Sequence, residues 1–242
     1  MMKFILVALL VLVFAMPVMA GKWDPSRDQL VDLLGDIQIE KDREKIYSNI
    51  KLLISQGMNA DVVVERSSFL SAIAKTQFHR WEDDEDQRPI PFTDWDKKLL
   101  KLLVDNGANL NRVYATSGGQ QYSMLLLALD NRNFDLAKEM VALGANYQVG
   151  FLSGFFKEEE NVLTHTIGEE NENDIEAFEY FFKLGHWVPN TIPFCSAGIA
   201  VGESIGRLPS EYRFDARKIL KILETAGYDW ENCRVVIGAT QK

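Results

Sequence analysis

The chain contains few of the residues on which metal and catalytic centres are usually built. Its 242 residues include 3 histidines and 2 cysteines, and His79, His165 and His186 share no paired spacing. Zinc sites commonly use closely spaced His or Cys ligands, so the sequence predicts no metal site. Neither cysteine has the Cys-x-x-Cys spacing of a redox centre, and no glycine-rich stretch precedes the Lys-Ser or Lys-Thr of a phosphate-binding loop. We therefore expect no cofactor and no enzymatic activity.

Long apolar runs are also scarce, and the longest lies at the amino terminus. A lysine precedes the unbroken apolar segment Phe4–Phe14, and Val18 and Ala20 form the small-residue pattern of a cleavage site before Gly21. This arrangement predicts a secretory signal peptide over residues 1–20. The run is too short for a transmembrane helix, which needs about 20 apolar residues. The mature chain is therefore expected in the periplasm, or secreted, without stable membrane insertion.

Basic residues are outnumbered, because 26 Lys and Arg stand against 35 Asp and Glu, for a net charge of −9. Loss of residues 1–20 would remove one Lys and no acid, which leaves −10. Nucleic acids are bound by clustered Lys and Arg, and so acidic a chain is repelled by phosphate backbones and anionic membrane surfaces. We therefore expect no nucleic-acid partner. The acidity suits a protein partner with a basic surface, although solubility alone also accounts for it.

The two cysteines, Cys195 and Cys233, both lie in the last quarter of the chain. Export to an oxidising compartment would permit a disulfide between them. A buried, unpaired Cys is also a common small hydrophobic residue. Because a disulfide requires a short Cα–Cα distance that the sequence does not show, both alternatives stay open.

A repeated pattern extends over most of the chain. Five segments carry apolar residues three and four positions apart, the spacing of an amphipathic helix. Each ends in a glycine-containing turn, where a left-handed glycine can close the helix. The glycines are Gly57, Gly107, Gly144, Gly185 and Gly227. A second apolar-patterned segment follows each of the first four turns, so the unit is a helix, a turn, a second helix and an extended loop.

The turn sequences and one regular unit carry a family resemblance. Two turns read Gly-Ala-Asn, at Gly107–Asn109 and Gly144–Asn146, and Ser123–Leu126 opens the most regular unit, with Asn131 and Asn133 between its two helices. These features resemble the ankyrin repeat, whose units open with Thr-Pro-Leu-His. The resemblance implies an all-α fold, an ankyrin-like helical repeat solenoid of about five helix-turn-helix units with inserted loops. Each helix pair buries its apolar face only by stacking on its neighbours.

The resemblance also divides the chain into parts. In chain order, these are a signal peptide over 1–20, an N-terminal capping helix over 21–43, a repeat domain over 44–233 and a C-terminal tail over 234–242. The units are longer than the about 33 residues of an ordinary ankyrin repeat, so loops are inserted. We expect the largest insertion between Lys75 and Trp95 and another between Val201 and Phe214. In the latter, Gly202 and Gly206 are interpreted as loop glycines.

Partner-binding residues are implied by the same resemblance, which places contacts on the concave side formed by the loop hairpins and the first helices. The candidates on successive hairpins are Asn111, Arg112, Tyr114, Tyr147, Phe151 and Trp187. The largest insertion adds Trp81 and Trp95, beside an acidic run from Glu82 to Asp86. Exposed aromatic anchors of this kind form interface hot spots. The alternative is that the aromatics pack back onto the helices while the charged run is solvated.

Three functions of different class follow from these observations. The first is a non-enzymatic protein-binding scaffold of the bacterial periplasm, in its sharpest form an immunity protein that neutralises an exported antibacterial toxin. Ankyrin-like proteins with signal peptides include such immunity proteins, so this version is what the resemblance implies. The second is a secreted ankyrin-repeat effector that binds a host protein. The third, an enzyme with a cryptic site, would need a buried cluster of His and carboxylates.

Overall fold

The fold is all-α with short hairpins between helices, which confirms the class that the helical periodicity predicts. A computed structural model describes residues 27–38, 42–64, 67–75, 92–115, 121–148, 151–152, 159–167, 175–185, 187–207 and 213–240. The predicted signal peptide, the start of the predicted capping segment and the part of the first insertion that carries Trp81 lie outside these residues.

Helices make up most of the described chain. They are α1 (Arg27–Gln38), α2 (Arg43–Ser55), α3 (Phe69–Lys75), α4 (Asp94–Asp105), α5 (Met124–Asp130), α6 (Phe134–Ala142), α7 (Ile175–Leu184), α8 (Ile192–Arg207), α9 (Arg213–Thr225) and α10 (Trp230–Thr240), with a 3-10 turn at Thr164–Thr166. Antiparallel hairpins pair β1 (Val63–Val64) with β2 (Ser67–Ser68), β3 (Val113–Ala115) with β4 (Gln121–Ser123), and β5 (Phe151–Leu152) with β6 (Glu159–Glu160). Each hairpin connects the second helix of one pair to the first helical segment of the next.

The helices form two neighbouring rows. One row contains α1, α3, α5, the 3-10 turn, α8 and α10, each packed on the next in that order. In the other row α2 packs on α4 and α7 packs on α9. Ion pairs join α4 to α6 through Lys97 and Glu139 (3.0 Å) and α6 to α7 through Lys138 and Glu176 (3.7 Å). Because paired helices such as α5 and α6 connect the rows, one continuous apolar core lies between them.

Four of the five predicted glycine turns have the left-handed conformation. The backbone angle φ is 101° at Gly57, 93° at Gly107, 100° at Gly144 and 100° at Gly227. In each turn the residue after the glycine donates its N–H to a helix carbonyl five residues earlier, as Ala108 does to Leu103 at 3.0 Å. This Schellman arrangement ends the helix because it satisfies the last carbonyls, and glycine reaches the required φ with little steric cost.

The fifth turn is different, and the prediction of a left-handed glycine at Gly185 is wrong, because its φ is not positive. A Cβ at Gly185 would instead overlap the indole ring of Trp187. The indole Nε1 donates to the carbonyl oxygen of Phe181 at 3.0 Å, which folds the ring back over the end of α7. Glycine is required here because it leaves room for the ring.

The packing of α3 shows how tightly the first row is enclosed. Every side chain from Phe69 to Ala74 is buried, and α3 packs on α1, α4 and α5. A seven-residue helix is not stable in isolation, since nucleation outweighs the few hydrogen bonds that it forms. Burial of each large apolar side chain contributes about 1.5–3 kcal/mol, so tertiary packing holds this helix in place.

The carboxy-terminal end is built on α8. Gly202 and Gly206 lie inside this 16-residue helix, so their interpretation as loop glycines is wrong. Two of the α8 glycines lie against aromatic rings. A Cβ at Gly198 would overlap the ring of Tyr228, and a Cβ at Gly202 would lie 3.3 Å from Cζ3 of Trp230. Because glycine has no side chain, the rings of Tyr228 and Trp230 can pack on this face of α8.

A disulfide joins Cys195 of α8 to Cys233 of α10, with Cα atoms 5.1 Å apart. Of the two alternatives that the sequence leaves open, the structure therefore has the bonded pair. Both residues are fully buried. Residues 234–240, predicted as a tail, continue α10 beyond this bond. Within the described residues, no helix has the length and apolar character needed to cross a membrane.

Candidate protein-interaction surface

The turns after α2, α4 and α6 share one geometry, which is built on an asparagine. Asn59, Asn109 and Asn146 each stand two residues after the glycine that ends the helix. The side-chain oxygen of each accepts the backbone N–H two residues further on, at 2.9 Å. These Asx turns fix the local backbone because the side chain takes the place of a main-chain acceptor.

Hydrogen bonds between neighbouring turns connect one unit to the next. The Oδ1 atom of Asp61 accepts the backbone N–H of Asn109 at 3.0 Å, and the Oδ1 atom of Asn111 accepts that of Asn146 at 2.7 Å. Together with the Asx turns, these bonds form an unbroken chain that we call the turn ladder. Its members are Asn59, Asp61, Asn109, Asn111, Asn146 and Gln148.

Side chains also link the first two hairpins. Arg112 forms an ion pair with Asp61, and its Nε donates to Oδ1 of Asp61 at 3.2 Å. The hydrogen bond to Asp61 raises the pKa of the Arg112 guanidinium. The hydroxyls of Ser68 and Tyr114 share a hydrogen bond of 2.7 Å, and burial raises the pKa of Tyr114. The hairpins β1–β2 and β3–β4 are therefore held together at two separate points.

Three of the predicted partner-binding residues lie in this linked region. Asn111 belongs to the turn ladder, Arg112 binds Asp61, and Tyr114 is half-buried against Ser68. Their polar groups are engaged within the chain. The sequence reasoning missed Asp61, although Asp61 and Asn111 stand at the same position, four residues after the helix-ending glycine. A polar acceptor recurring at that position is the signal that identifies them.

Trp95 is not a surface anchor, and its prediction as a partner-binding residue is wrong. It lies near the start of α4 and is 7% exposed. Its Nε1 donates to the carbonyl of Arg43 at 2.6 Å, and the Arg43 guanidinium lies 5.4 Å from the centre of its ring. The residue therefore packs back onto the helices, which is the alternative that the sequence left open, and joins α2 to α4.

The remaining predicted residues are spread over later units. Tyr147 donates its hydroxyl to the carbonyl of Leu184 at 3.1 Å, and the partly buried Trp187 bonds to Phe181, so both are tied to the end of α7. Phe151 lies in β5, where the structure describes the backbone alone, and Trp81 lies outside the described residues. The structure does not gather all the predicted residues into one patch.

Two exposed valines occupy equivalent positions on neighbouring hairpins. Val63 in β1 is 40% exposed and Val113 in β3 is 47% exposed, and each stands six residues after its helix-ending glycine. Their hairpins are the two that Asp61–Arg112 and Ser68–Tyr114 hold together. We call these valines, with the exposed turn residues Asn59 and Asn109, the hairpin surface.

His165 and Asp130 form a side-chain contact between two structural elements. His165 contacts the Asp130 carboxylate through Nδ1, and this pair joins the 3-10 turn to the end of α5. Among the residues that the structure describes, no group of three or more His, Cys, Asp or Glu is arranged to hold a metal ion. The pair therefore connects the 3-10 turn to α5.

No protein-family model matches the sequence, and no curated protein matches it either.

Proposed function

We propose that the protein is a non-enzymatic scaffold of the bacterial periplasm that binds another protein through the hairpin surface. Its sharpest form is an immunity protein that covers and neutralises an exported antibacterial toxin with a basic surface. The observation that carries the proposal is the equivalent exposure of Val63 and Val113 on two hairpins that are locked together.

An ankyrin-type solenoid is part of the same proposal. Support comes from the two rows of helices, the four left-handed glycine turns and the hairpins that project between helix pairs. The turn ladder adds a hydrogen bond from each of the first two units to the next. Repeat proteins of this kind present extended surfaces for partners, because each unit contacts only its neighbours.

Rigidity favours the hairpin surface as the place of contact. A flexible loop loses conformational entropy when it binds, which weakens affinity, whereas a preorganised surface avoids this cost. Val63 and Val113 are held by ladder bonds and hairpin pairing before any partner arrives. Two separate valines offer little apolar area, so the surrounding polar turn residues have to supply the specificity. The net charge of −9 favours a basic partner through long-range attraction.

The test is a pull-down with the tagged full chain, expressed in a bacterium together with the products of its neighbouring genes. We expect stoichiometric recovery of one exported enzyme whose activity is lost on binding. Recovery of the chain from culture medium, with no envelope partner, would contradict the proposal and favour a secreted effector that binds a host protein.

Matched variants show whether the hairpin surface makes the contact. Val63→Lys with Val113→Lys places two cations opposite a basic partner and should abolish recovery and neutralisation. Leu52→Lys is the control, because Leu52 is 54% exposed on α2, outside the hairpins. Equal loss of binding in both variants, or none in either, would show that the partner contacts another surface.

A further inference from the structure

The turn after α4 contains the single Asn-Gly pair of the sequence, Asn106 and Gly107. Asn106 is the residue that caps the end of α4, and its side chain is exposed. Gly107 is exposed as well, and a Cβ at this position would meet nothing within 4 Å. Solvent therefore reaches both residues, and no side chain covers the peptide bond between them.

Spontaneous deamidation of an asparagine is a reaction between its side chain and the following peptide bond. The backbone nitrogen of the next residue forms a bond to Cγ, and Nδ2 leaves as ammonia, which takes up the proton of that nitrogen. Water then opens the resulting succinimide ring and leaves either aspartate or isoaspartate. A side chain on the next residue hinders the attack, so the reaction is fastest before glycine, which has no Cβ.

We propose that Asn106 is a deamidation site that the folded turn protects and that local opening of the turn releases. Two hydrogen bonds engage the reacting groups in the folded chain. Nδ2 of Asn106 donates to the carbonyl oxygen of Leu102 at 2.8 Å, and the N–H of Gly107 donates to a second helix carbonyl, that of Val104, at 3.0 Å. The attack requires the nitrogen to lose its proton and the side chain to turn towards it, so both bonds have to break first. The reaction therefore proceeds from locally opened molecules.

Deamidation weakens the turn in which it occurs. A carboxylate in place of the amide no longer donates to Leu102, and its negative charge lies at the C-terminal end of α4, where the helix dipole disfavours it. Isoaspartate also adds one carbon to the main chain of the turn. The Schellman bond from Ala108 to Leu103 and the Asx turn of Asn109 both depend on the length of that main chain. The modification therefore disrupts the turn ladder between the first two hairpins.

Peptide mapping of the full chain by mass spectrometry tests the proposal after incubation at mildly alkaline pH. Tryptic cleavage after Lys101 and Arg112 releases one peptide that contains Asn106, Asn109 and Asn111. The last two precede leucine and arginine, so they are internal controls. In urea, we expect Asn106 to convert about tenfold faster or more than either control, because only its neighbour lacks a Cβ. In native buffer, its conversion should be about tenfold slower or more than in urea, because the turn has to open first.

Variants of Asn106 test the effect on the turn. Asn106→Asp reproduces one product of the reaction, whereas Asn106→Gln keeps an uncharged amide at the same position. Hydrogen exchange over residues 107–111 should be faster in Asn106→Asp than in Asn106→Gln, with the same protection of α7 to α9 in both. Equal exchange in the two variants would overturn the effect on the turn.

The two arms of the mapping experiment separate reactivity from protection. Equal conversion of the three asparagines in urea would overturn Asn106 as the reactive site. Conversion of Asn106 in native buffer as fast as in urea would overturn its protection by the folded turn.

Discussion

The Asp61 carboxylate accepts the backbone N–H of Asn109 at 3.0 Å, although the two residues are 48 positions apart in the chain. The same carboxylate binds the guanidinium of Arg112, the residue that follows Asn111 of the turn ladder. One acidic side chain therefore holds two successive turns in place and sets the relative position of the first two hairpins.

Removal of the Asp61 carboxylate should lower the stability of the folded chain. Asp61→Ala leaves the Asn109 amide and the Arg112 guanidinium without their acceptor, and we expect the free energy of unfolding to fall by about 1–3 kcal/mol. Asp61→Asn keeps one acceptor oxygen and should cost less. Urea denaturation followed by circular dichroism measures both.

Asp105→Ala is the matched control for that experiment. Asp105 pairs with Lys101 on the exposed side of α4, and such a pair contributes only about 0.5 kcal/mol. Equal losses from Asp61→Ala and Asp105→Ala would show that the turn ladder adds nothing to stability.

Two glycines of α8 should respond to alanine in opposite ways. Gly198→Ala forces a methyl group into the ring of Tyr228, so we expect a loss of about 1–3 kcal/mol in the free energy of unfolding. Gly206→Ala meets nothing within 4 Å and should raise stability by up to about 1 kcal/mol, because alanine is the better helix former. Thermal unfolding of the two variants compares them directly. The same sign of change in both would contradict the packing of Tyr228 on α8.

The hydroxyl of Tyr228 is buried and has no hydrogen-bond partner in the described structure. Tyr228→Phe removes this polar group and should raise the free energy of unfolding by about 1 kcal/mol. A lower stability in the variant would mean that the hydroxyl makes a favourable contact.

Burial also raises the pKa of Tyr228 to about 12, above its ordinary value of 10.0. Between these values the unfolded chain loses the phenolic proton while the folded chain keeps it, so stability falls as the pH rises from about 10 towards 12. Denaturation at stepped alkaline pH should show a smaller decline in Tyr228→Phe. An identical decline in both proteins would show that Tyr228 does not cause it.

Loss of the disulfide should lower the stability of α10 more than that of the other helices. Cys233 is the only fully buried side chain in the described part of this helix, so Cys195→Ser with Cys233→Ser removes its main anchor. For a sequence separation of 38 residues, the chain-entropy model gives a loss of about 4 kcal/mol in the local unfolding that opens the loop between Cys195 and Cys233. Hydrogen exchange should show faster exchange over residues 230–240, with protection retained in α2 to α6. Uniform loss of protection along the chain would contradict a local role.

Several features could be read directly from local sequence. The glycines at 57, 107, 144 and 227 follow amphipathic helices, and their turns have the predicted left-handed geometry because the requirement is local. Gly185 has the same sequence context, but it is needed because the ring of Trp187 packs against it. That contact depends on how the turn after α7 folds back.

The predicted binding residues show what the local sequence does not specify. An aromatic residue in an insertion can be an anchor or a core residue, and Trp95 is a core residue because α4 begins one position before it and packs it against Arg43. Asn111 and Arg112 are polar and lie in a turn, but their partners Asn146 and Asp61 come from other units. No local pattern specifies such pairs.

The sequence by itself determined most of the helices and four of the five glycine ends, because periodicity and backbone conformation depend on near neighbours. Only the tertiary structure decided the Cys195–Cys233 bond, the turn ladder and the exposure of Val63, Val113 and Val235. Each of these depends on the distance between segments far apart in the chain, or on what remains uncovered once the helices have stacked.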